Sequence, residues 1–460
     1  MSVRLRLAIL LARSAAHVSR GLRWGGGTTL PGRLARRISP GIVEILASQL
    51  PRGIVAVSGT NGKTTTARLV AEMAQAAGLR VVHNRAGANL PAGIASALVG
   101  AADLRARVQG DVGVFEVDEA AFPLLLPVLR PRVVVLLNLF RDQLDRYGEV
   151  EAVARRWRTA LQGLPEAIVC FNADDPQVAE VARDLPQATV PFGVEDERCG
   201  LETLEDAADV RYCYRCGAPY TYQVVYLSHA GRYRCERCGV RRPDPAVYAE
   251  AIHLDGMRGT EASVVWPGGC LRVRIPLPGL YNVYNALAAT AAALSLGVSG
   301  GALERALKGF RPAFGRAERL RWRGRELEIL LAKNPAGLNA LLRMVARHPP
   351  ASLLVAIHDR TADGRDVSWL WDVDFEGLQD SPKRIVASGL RATDLALRLR
   401  YAGIPEERLV VEPDLARALH TAAQGVPEGE TLLVLPTYTA MLELRRILQR
   451  EGVAPDFWEA

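Results

Sequence analysis

Residues 54–66 read Ile54-Val-Ala-Val-Ser-Gly-Thr-Asn-Gly-Lys-Thr-Thr-Thr66, and this stretch predicts the centre of an α/β nucleotide-binding domain. Its apolar start predicts a buried strand, and a helix is expected to begin near Lys63. A glycine-bearing turn between a strand and a helix directs backbone N–H groups at phosphate oxygens. Lys63 would reach the β- and γ-phosphates of ATP, and the Thr64 hydroxyl would bind Mg²⁺. An ordinary glycine turn is the less favoured interpretation.

The loop is a shorter variant of the general P-loop. The general pattern has a glycine where this chain has Val57. The residues expected to bind the nucleotide in this loop are Gly59, Thr60, Asn61, Gly62, Lys63, Thr64 and Thr65.

The bulk composition is that of a globular protein of two or three domains. The chain has 460 residues, of which 49% are hydrophobic and 23% are charged. Its net charge is +7, with 57 basic and 50 acidic residues, and we interpret this excess as diffuse. A diffuse excess suits an acidic ligand but does not by itself indicate nucleic acid.

The first 24 residues alternate leucine and arginine in the manner of a basic amphipathic helix. Their apolar stretch is too short for a signal peptide or a membrane span. Such a helix either packs on its own domain, which we favour, or lies on an anionic membrane surface. We therefore expect a cytoplasmic protein, with a peripheral membrane contact as the alternative, and we assign residues 1–40 to an N-terminal helical segment.

Residues 40–200 alternate strand-like and helix-like segments, which is typical of a doubly wound α/β domain, and we assign residues 41–312 to this central ATP-binding domain. In such domains ligands bind beyond the carboxyl ends of the strands. Polar residues follow three predicted strands there, namely Glu116, Asn138, and the pair Asn172 and Asp175. Residues 313–460 show the same alternation and predict a second, Rossmann-like α/β domain.

Four of the seven cysteines form two Cys-x2-Cys pairs within residues 208–244, which interrupt the α/β alternation. A glycine follows each pair, and four thiolates in this arrangement predict a closed, structural Zn²⁺ site in a zinc-ribbon insertion. Disulfides or free thiols are the alternative. The predicted zinc ligands are Cys213, Cys216, Cys235 and Cys238.

Five segments together resemble the Mur ligase family of ATP-dependent amide-forming enzymes. They occur in family order and are Gly59-Thr-Asn-Gly-Lys-Thr-Thr65, Glu116-Val-Asp-Glu119, Asn138-Leu-Phe-Arg-Asp-Gln-Leu-Asp145, Asn172-Ala-Asp-Asp175 and Gly279-Leu-Tyr-Asn-Val-Tyr-Asn-Ala-Leu-Ala-Ala289. The resemblance implies that ATP phosphorylates a carboxylate to an acyl phosphate, which an amine then attacks.

Two differences from the general Mur ligase pattern limit which members of the family this chain can resemble. Family members that act on UDP-sugar precursors carry a nucleotide-sugar-binding domain before the P-loop, and only ~50 residues precede it here, below a usual domain size. Many members also use a carbamylated lysine for Mg²⁺, whereas this chain has no lysine between Lys63 and Lys308. That device is therefore expected to be absent or replaced.

Two later segments resemble a branch of the family that works with a separate glutaminase subunit of the GatD type. They are Leu331-Ala-Lys-Asn-Pro-Ala-Gly-Leu-Asn-Ala340 and Ala362-Asp-Gly-Arg-Asp-Val-Ser-Trp-Leu-Trp-Asp372. The resemblance implies a heterodimer in which glutamine-derived ammonia amidates the α-carboxylate of D-Glu in the stem peptide. The acceptor is lipid II or an earlier peptidoglycan precursor.

The same resemblance implies roles for individual residues. Lys63 and Lys333 supply positive charge, Thr64 and Glu116 hold Mg²⁺, and Asp366 orients a histidine of the partner's catalytic triad. The remaining nucleotide contacts that it implies are Asn138, Asn172, Asp175 and Arg316. Two tryptophans near Asp366 favour a partner surface.

Two other functions remain open from the sequence. One is a ligase like folylpolyglutamate synthase, which would share the short N-terminus but leave the four cysteines unexplained. The other is a zinc-ribbon P-loop ATPase that binds nucleic acid through the arginines near the cysteines. The favoured hypothesis, the amidating ligase, predicts no nucleic-acid partner.

Overall fold

A computed structural model describes residues 3–21, 29–84, 88–141, 149–205, 208–310 and 316–454. The chain forms two α/β units and a small two-stranded sheet. This confirms the predicted fold class. None of the helices within these ranges is long and apolar enough to cross a lipid bilayer.

Three helices precede the P-loop and pack on the first α/β unit. They are α1 (Val3–Gly21), α2 (Leu30–Ile38) and α3 (Ile42–Ala47). Leu5 and Ile9 of α1 lie in one apolar core with Ile54 and Phe115 of the sheet. The favoured interpretation, that the N-terminal helix packs on its own domain, is thereby confirmed for one face of α1.

The first unit holds a nine-stranded sheet in the order β11-β10-β9-β6-β5-β4-β1-β3-β2. Strands β1 to β6 and β9 pair in parallel, while β10 and β11 extend the sheet antiparallel. The remaining two strands, β7 and β8, form the separate two-stranded sheet. The strands of this part of the chain are β1 (Ile54–Ser58), β2 (Val81–His83), β3 (Val112–Glu116), β4 (Val133–Leu136), β5 (Ile168–Asn172), β6 (Thr189–Val194), β7 (Thr221–Leu227), β8 (Ala230–Arg234), β9 (Val247–Leu254), β10 (Thr260–Trp266) and β11 (Gly269–Ile275).

Helices cover both faces of this sheet and form two apolar cores, one on each side. They are α4 (Lys63–Ala76), α5 (Pro91–Ala101), α6 (Phe122–Leu129), α7 (Val150–Gln162), α8 (Pro176–Ala182), α9 (Leu280–Ser295) and α10 (Gly300–Gly309). Strands β1, β3 and β4 are buried along their whole length, as the continuous apolar runs predict.

The second unit holds a six-stranded sheet in the order β12-β13-β17-β14-β15-β16. Its strands are β12 (Arg316–Trp322), β13 (Arg325–Leu330), β14 (Ser352–Ala356), β15 (Ile385–Ser388), β16 (Leu409–Val411) and β17 (Thr431–Pro436). Its helices are α11 (Pro335–Arg347), α12 (Ala392–Tyr401), α13 (Leu415–Ala423) and α14 (Tyr438–Arg450). The predicted boundary at residues 312 and 313 falls outside the described residues.

Candidate active site

The P-loop holds its lysine in a buried pocket made by the loop itself. Lys63 Nζ donates to the carbonyl oxygens of Gly59 (2.6 Å) and Thr60 (3.1 Å) and lies 2.9 Å from Glu119 Oε2. Gly59 and Gly62 both have positive φ (147° and 87°), so a side chain at either position would be strained. The lysine is thus already positioned at the N-terminus of α4, where phosphate oxygens bind.

Glu116 sits at the carboxyl end of β3, opposite Thr64. The Thr64 hydroxyl donates to Glu116 Oε2 (2.8 Å), and Asn89 Nδ2 donates to Oε1 (3.1 Å). Asn84 fixes the backbone of Glu116, because its side-chain amide donates to the carbonyl (2.8 Å) and accepts from the N–H (2.9 Å). The two predicted Mg²⁺ ligands are therefore adjacent. A hydroxyl and a carboxylate oxygen fit this hard cation.

Glu119 belongs to the acidic segment 116–119, but the residue pattern alone assigns it no role of its own. Its carboxylate is buried and lies within the electrostatic influence of both Lys63 and Lys333. Burial raises the pKa of Glu119 above its usual value, while these two lysines oppose that shift. A second carboxylate three residues after Glu116 was the available signal, and its contact with Lys63 becomes visible only in the fold.

The second α/β unit reaches the P-loop through the turn after β13. Asn61 and Asn334 exchange two side-chain hydrogen bonds, of 3.2 Å and 3.0 Å. Asn334 also caps α11 by accepting from the Gly337 N–H (2.9 Å), so the Asn-Pro sequence is both a helix start and a contact between units. Lys333 is the adjacent residue, and its charge acts on Glu119 at the edge of the first sheet.

Asn138 holds the P-loop from the neighbouring strand β4. Its Oδ1 accepts from the Asn61 N–H (2.8 Å), its Nδ2 donates to the Asn61 carbonyl (3.1 Å), and its own carbonyl accepts from the Thr60 N–H (3.0 Å). Asn285 of α9 approaches from the other side and accepts from the Thr66 hydroxyl (3.3 Å). Asn138 thus orients the loop in this structure.

Asn172 and Asp175 lie together at the carboxyl end of β5. Asp175 is fully buried and caps α8 by accepting from two backbone N–H groups, while its other oxygen accepts from the Leu139 N–H (2.9 Å). Asn172 Oδ1 accepts from the Asp174 N–H (3.1 Å). Arg316 was also predicted to contact the nucleotide. Its backbone begins β12, but its side chain lies outside the described part of the structure.

The four cysteines converge in the two-stranded insertion. Their Sγ atoms all lie within 4.8 Å of one another, and the Cys213–Cys238 and Cys216–Cys235 pairs are 3.5 Å and 3.4 Å apart. A Zn²⁺ tetrahedron with bonds of about 2.3 Å has S–S edges of about 3.8 Å, so the thiols fit this ion. Both turns use a glycine with positive φ, Gly217 (70°) and Gly239 (72°).

At least four of the seven arginines of the insertion pair with carboxylates. Arg242 pairs with the buried Asp174 and, at 2.6 Å, with Glu195, and it thereby fastens the insertion to the main sheet. Arg232 pairs with Glu195 and Glu197. Arg215 pairs with Asp184 at 3.1 Å, and Arg234 pairs with Glu236 at 3.1 Å. These ion pairs reduce the cationic surface that a nucleic-acid site would need.

Asp366 lies on an exposed loop of the second unit. Its Oδ1 accepts from the Ser368 N–H (2.8 Å), and this bond lowers the pKa of Asp366 below its usual value. Its carboxylate is therefore ionised at neutral pH. Trp371 nearby is 51% exposed and packs edge-on against Tyr401, with ring centroids 5.5 Å apart.

Comparison with known proteins places these features in one family. Residues 57–217 match the Mur ligase middle domain, and residues 331–441 match the MurT ligase C-terminal domain. The subunit MurT of lipid II isoglutaminyl synthase (glutamine-hydrolyzing) from Streptococcus pneumoniae is 33% identical over 97% of this chain and 98% of its own length. The chain belongs to the MurT family of Mur ligases.

Two further comparisons agree with this membership. The subunit MurT from Staphylococcus aureus strain COL is 33% identical over 96% of this chain and 97% of its own length. Among solved structures, a pseudomurein peptide ligase type C from Methanothermus fervidus superposes with a TM-score of 0.67. It is 22% identical and covers 88% of this chain and 80% of its own, so it supports the Mur ligase fold. In this MurT family member, the C-terminal match includes both Lys333 and Asp366.

Proposed function

We propose that this chain is the ligase subunit of a lipid II isoglutaminyl synthase, which amidates the α-carboxylate of D-Glu in the stem peptide with ATP. The observation that carries the proposal is the full-length similarity to subunits of that name. Such a ligase needs a phosphate-binding loop, ligands for Mg²⁺ and positive charge near the acyl phosphate. The P-loop, the Thr64–Glu116 pair and the turn that carries Lys333 would supply them.

In the first step a carboxylate oxygen of the acceptor attacks the γ-phosphorus of ATP, and ADP leaves with the bridging electrons. This phosphoryl transfer depends on positioning and on charge neutralisation. The backbone N–H groups of the P-loop hold the phosphates, and Lys63 follows the charge that develops on the transferred group. Mg²⁺, held by Thr64 and Glu116, would neutralise phosphate oxygens when bound.

In the second step ammonia attacks the acyl carbon, and phosphate leaves to give the amide. Lys333 supports this step by stabilising negative charge on the acyl phosphate oxygens. Glu119 pairs with Lys63 and lies within the electrostatic influence of Lys333, so it would hold Lys63 and attract Lys333 towards the reacting phosphate before the substrates arrive.

Ammonia would come from a GatD-like glutaminase subunit bound to the second α/β unit. In support, the ionised Asp366 is exposed and free to face a partner's imidazolium, as a triad carboxylate must. An apolar surface lies on the same unit and consists of Trp371, Leu390, Leu397 and Tyr401, which are 51%, 58%, 50% and 73% exposed. Exposed aromatic side chains of this kind are typical anchors of protein interfaces.

Zinc in the four-cysteine site would act as a structural ion. The closed set of four sulfur ligands leaves no position for a reacting water. The expected location of the enzyme is the cytoplasm, at the inner face of the membrane, because the acceptor is linked to a lipid.

Acceptor-dependent phosphate release tests the proposal. We expect the purified chain with its glutaminase subunit, ATP and ammonium to release phosphate when lipid II carrying D-Glu is added. Lipid II that already carries D-isoglutamine is the matched control and should release none. Phosphate release driven by a folate and glutamate, or by nucleic acid, would reject this function in favour of one of the other two.

A further inference from the structure

Helix α1 has two apolar faces, and only one of them is covered. Leu5, Ala8, Ile9 and Ala12 are at most 2% exposed and belong to the core of the first unit. The opposite face presents Val3, Leu7, Leu10 and Leu11, which are 83%, 47%, 48% and 41% exposed. We call these four residues the outer face of α1. An amphipathic helix that only packed on its domain would carry polar residues there.

Arginines border the outer face on both sides. At about 100° per residue, its four side chains span an arc of roughly 100°, with Arg4 beyond one edge and Arg6 and Arg13 beyond the other. Arg4 donates to the Ile38 carbonyl, and Arg13 donates to the Ala102 carbonyl (2.9 Å). Within the described part of the chain, neither arginine has a carboxylate partner. An apolar arc between cationic edges is the pattern of helices that lie in a membrane interface.

The composition suggested a diffuse positive charge, but the excess is concentrated in the N-terminal segment that contains this helix. Residues 1–50 contain eight arginines and one acidic residue, Glu44, which gives this segment a net charge of +7. That value equals the net charge of the whole chain, so the remaining residues balance one another. A local cationic segment attracts anionic lipid headgroups.

We propose that the outer face of α1 docks on an anionic phospholipid surface. The leucines enter the boundary between headgroups and acyl chains, while the bordering arginines bind lipid phosphates at the level of the headgroups. This inference extends the proposed function, since a lipid-linked acceptor is found at such a surface, but the docking itself needs no acceptor.

Vesicle co-sedimentation of the full chain with its glutaminase subunit tests the docking. The probes are vesicles of phosphatidylcholine alone and vesicles with phosphatidylglycerol, both without any peptidoglycan precursor. We expect binding to the anionic vesicles that weakens at high salt, because salt screens exposed charges. The triple variant Leu7→Ser/Leu10→Ser/Leu11→Ser should bind them about tenfold or more weakly.

Matched single variants keep the test decisive if the triple variant folds poorly. Leu10→Ser should weaken anionic-vesicle binding about threefold, since one partly exposed leucine is lost. Leu124→Ser removes a leucine of α6 that is 74% exposed and should leave binding unchanged. Neither substitution touches the buried face of α1, so melting temperatures should match wild type.

Three results would overturn the docking proposal. They are equal binding of wild type to neutral and anionic vesicles, unchanged binding by the variants, and a loss of subunit association or of self-association in the variants instead. The last result would assign the outer face to a protein partner. Because the vesicles carry no acceptor, the docking test is independent of the amidation test. Docking without amidation would reject only the proposed function, and normal amidation of detergent-solubilised lipid II without docking would reject only the docking proposal.

Discussion

A buried ion pair defines the nucleotide site at the scale of single residues. Lys63 Nζ contacts Glu119 and two loop carbonyls, so its ammonium group is held in place before ATP binds. Replacement of Lys63 by alanine removes the charge that follows the γ-phosphate into the transition state. We expect Lys63→Ala to lower the amidation rate about a hundredfold or more. Amidation measured at more than half of the wild-type rate would reject the P-loop assignment.

The proposed role of Asp366 in the partner's triad predicts that glutamine hydrolysis and ligation can be separated by one substitution. An asparagine at a triad position favours the wrong histidine tautomer, which costs about 10⁴ in kcat in a serine protease. We therefore expect Asp366→Asn to abolish amidation supported by glutamine, while a high ammonium concentration restores it. Asp380→Asn, at another exposed carboxylate of the same unit, should leave both activities intact.

The rescue decides where Asp366 acts. If ammonium fails to restore the product, Asp366 belongs to the ligase site or to folding. If glutamine-dependent activity persists undiminished, Asp366 is a solvated loop carboxylate without a role in the triad.

The sequence identified the P-loop residues because their role depends on local backbone geometry, which residue order encodes. Asn61 shows the limit of this approach. It was predicted as a nucleotide contact, and the structure shows it also bonded to Asn334 in the other unit. Such a contact between distant segments depends on tertiary packing. The same is true of Glu119, whose burial between two lysines has no signature in the sequence.

At the scale of elements, the four-cysteine insertion should be stabilised by one zinc ion. We expect Cys213→Ser to lose zinc, by elemental analysis of protein purified without chelator, and to lower the melting temperature. Cys270→Ser is the matched control, since Cys270 is exposed and lies outside the cluster. Equal zinc content in wild type and Cys213→Ser would contradict the assignment.

Strand β13 carries a buried carboxyl group that couples stability to pH. Burial raises the pKa of Glu328 from 4.5 to about 7, against the opposing influence of Arg319. The folded state therefore binds a proton that the unfolded state releases, and stability falls as the pH rises from about 4.5 to about 7. We expect wild type to lose about 1–3 kcal/mol of unfolding free energy through Glu328 between pH 5 and pH 8, and Glu328→Gln to lack this loss.

Urea denaturation of both proteins at the two pH values measures this effect. A stability difference between pH 5 and pH 8 that is the same in wild type and Glu328→Gln would show that Glu328 does not titrate with folding.

Element boundaries were predicted best where apolar runs are continuous. The predicted helix start at Lys63 and the helix Ala392–Tyr401 agree with the structure. Strands β9 and β10 were not predicted, because they are only partly buried and lack the continuous apolar run of the central strands. Their role as an antiparallel extension of the parallel sheet depends on pairing over long sequence distances.

At the scale of the whole molecule, we propose that the two α/β units share one reaction centre. The Asn61–Asn334 pair joins them, and Lys333 and Glu119 lie beside this junction. Asp366 lies on the second unit, as does Lys333, so the proposed glutaminase-binding surface and one side of the proposed reaction centre belong to the same unit. The account therefore predicts that nitrogen passes from glutamine to the acceptor only in the complete complex.

Mass spectrometry of lipid II after incubation with ATP and amide-¹⁵N glutamine tests this central claim most directly. The reaction contains this chain together with its glutaminase subunit, and each subunit alone serves as a control. We expect one ¹⁵N amide to replace the α-carboxyl OH of D-Glu when both subunits are present. Unmodified lipid II with both subunits, or a label at any other position of the stem peptide, would contradict the account.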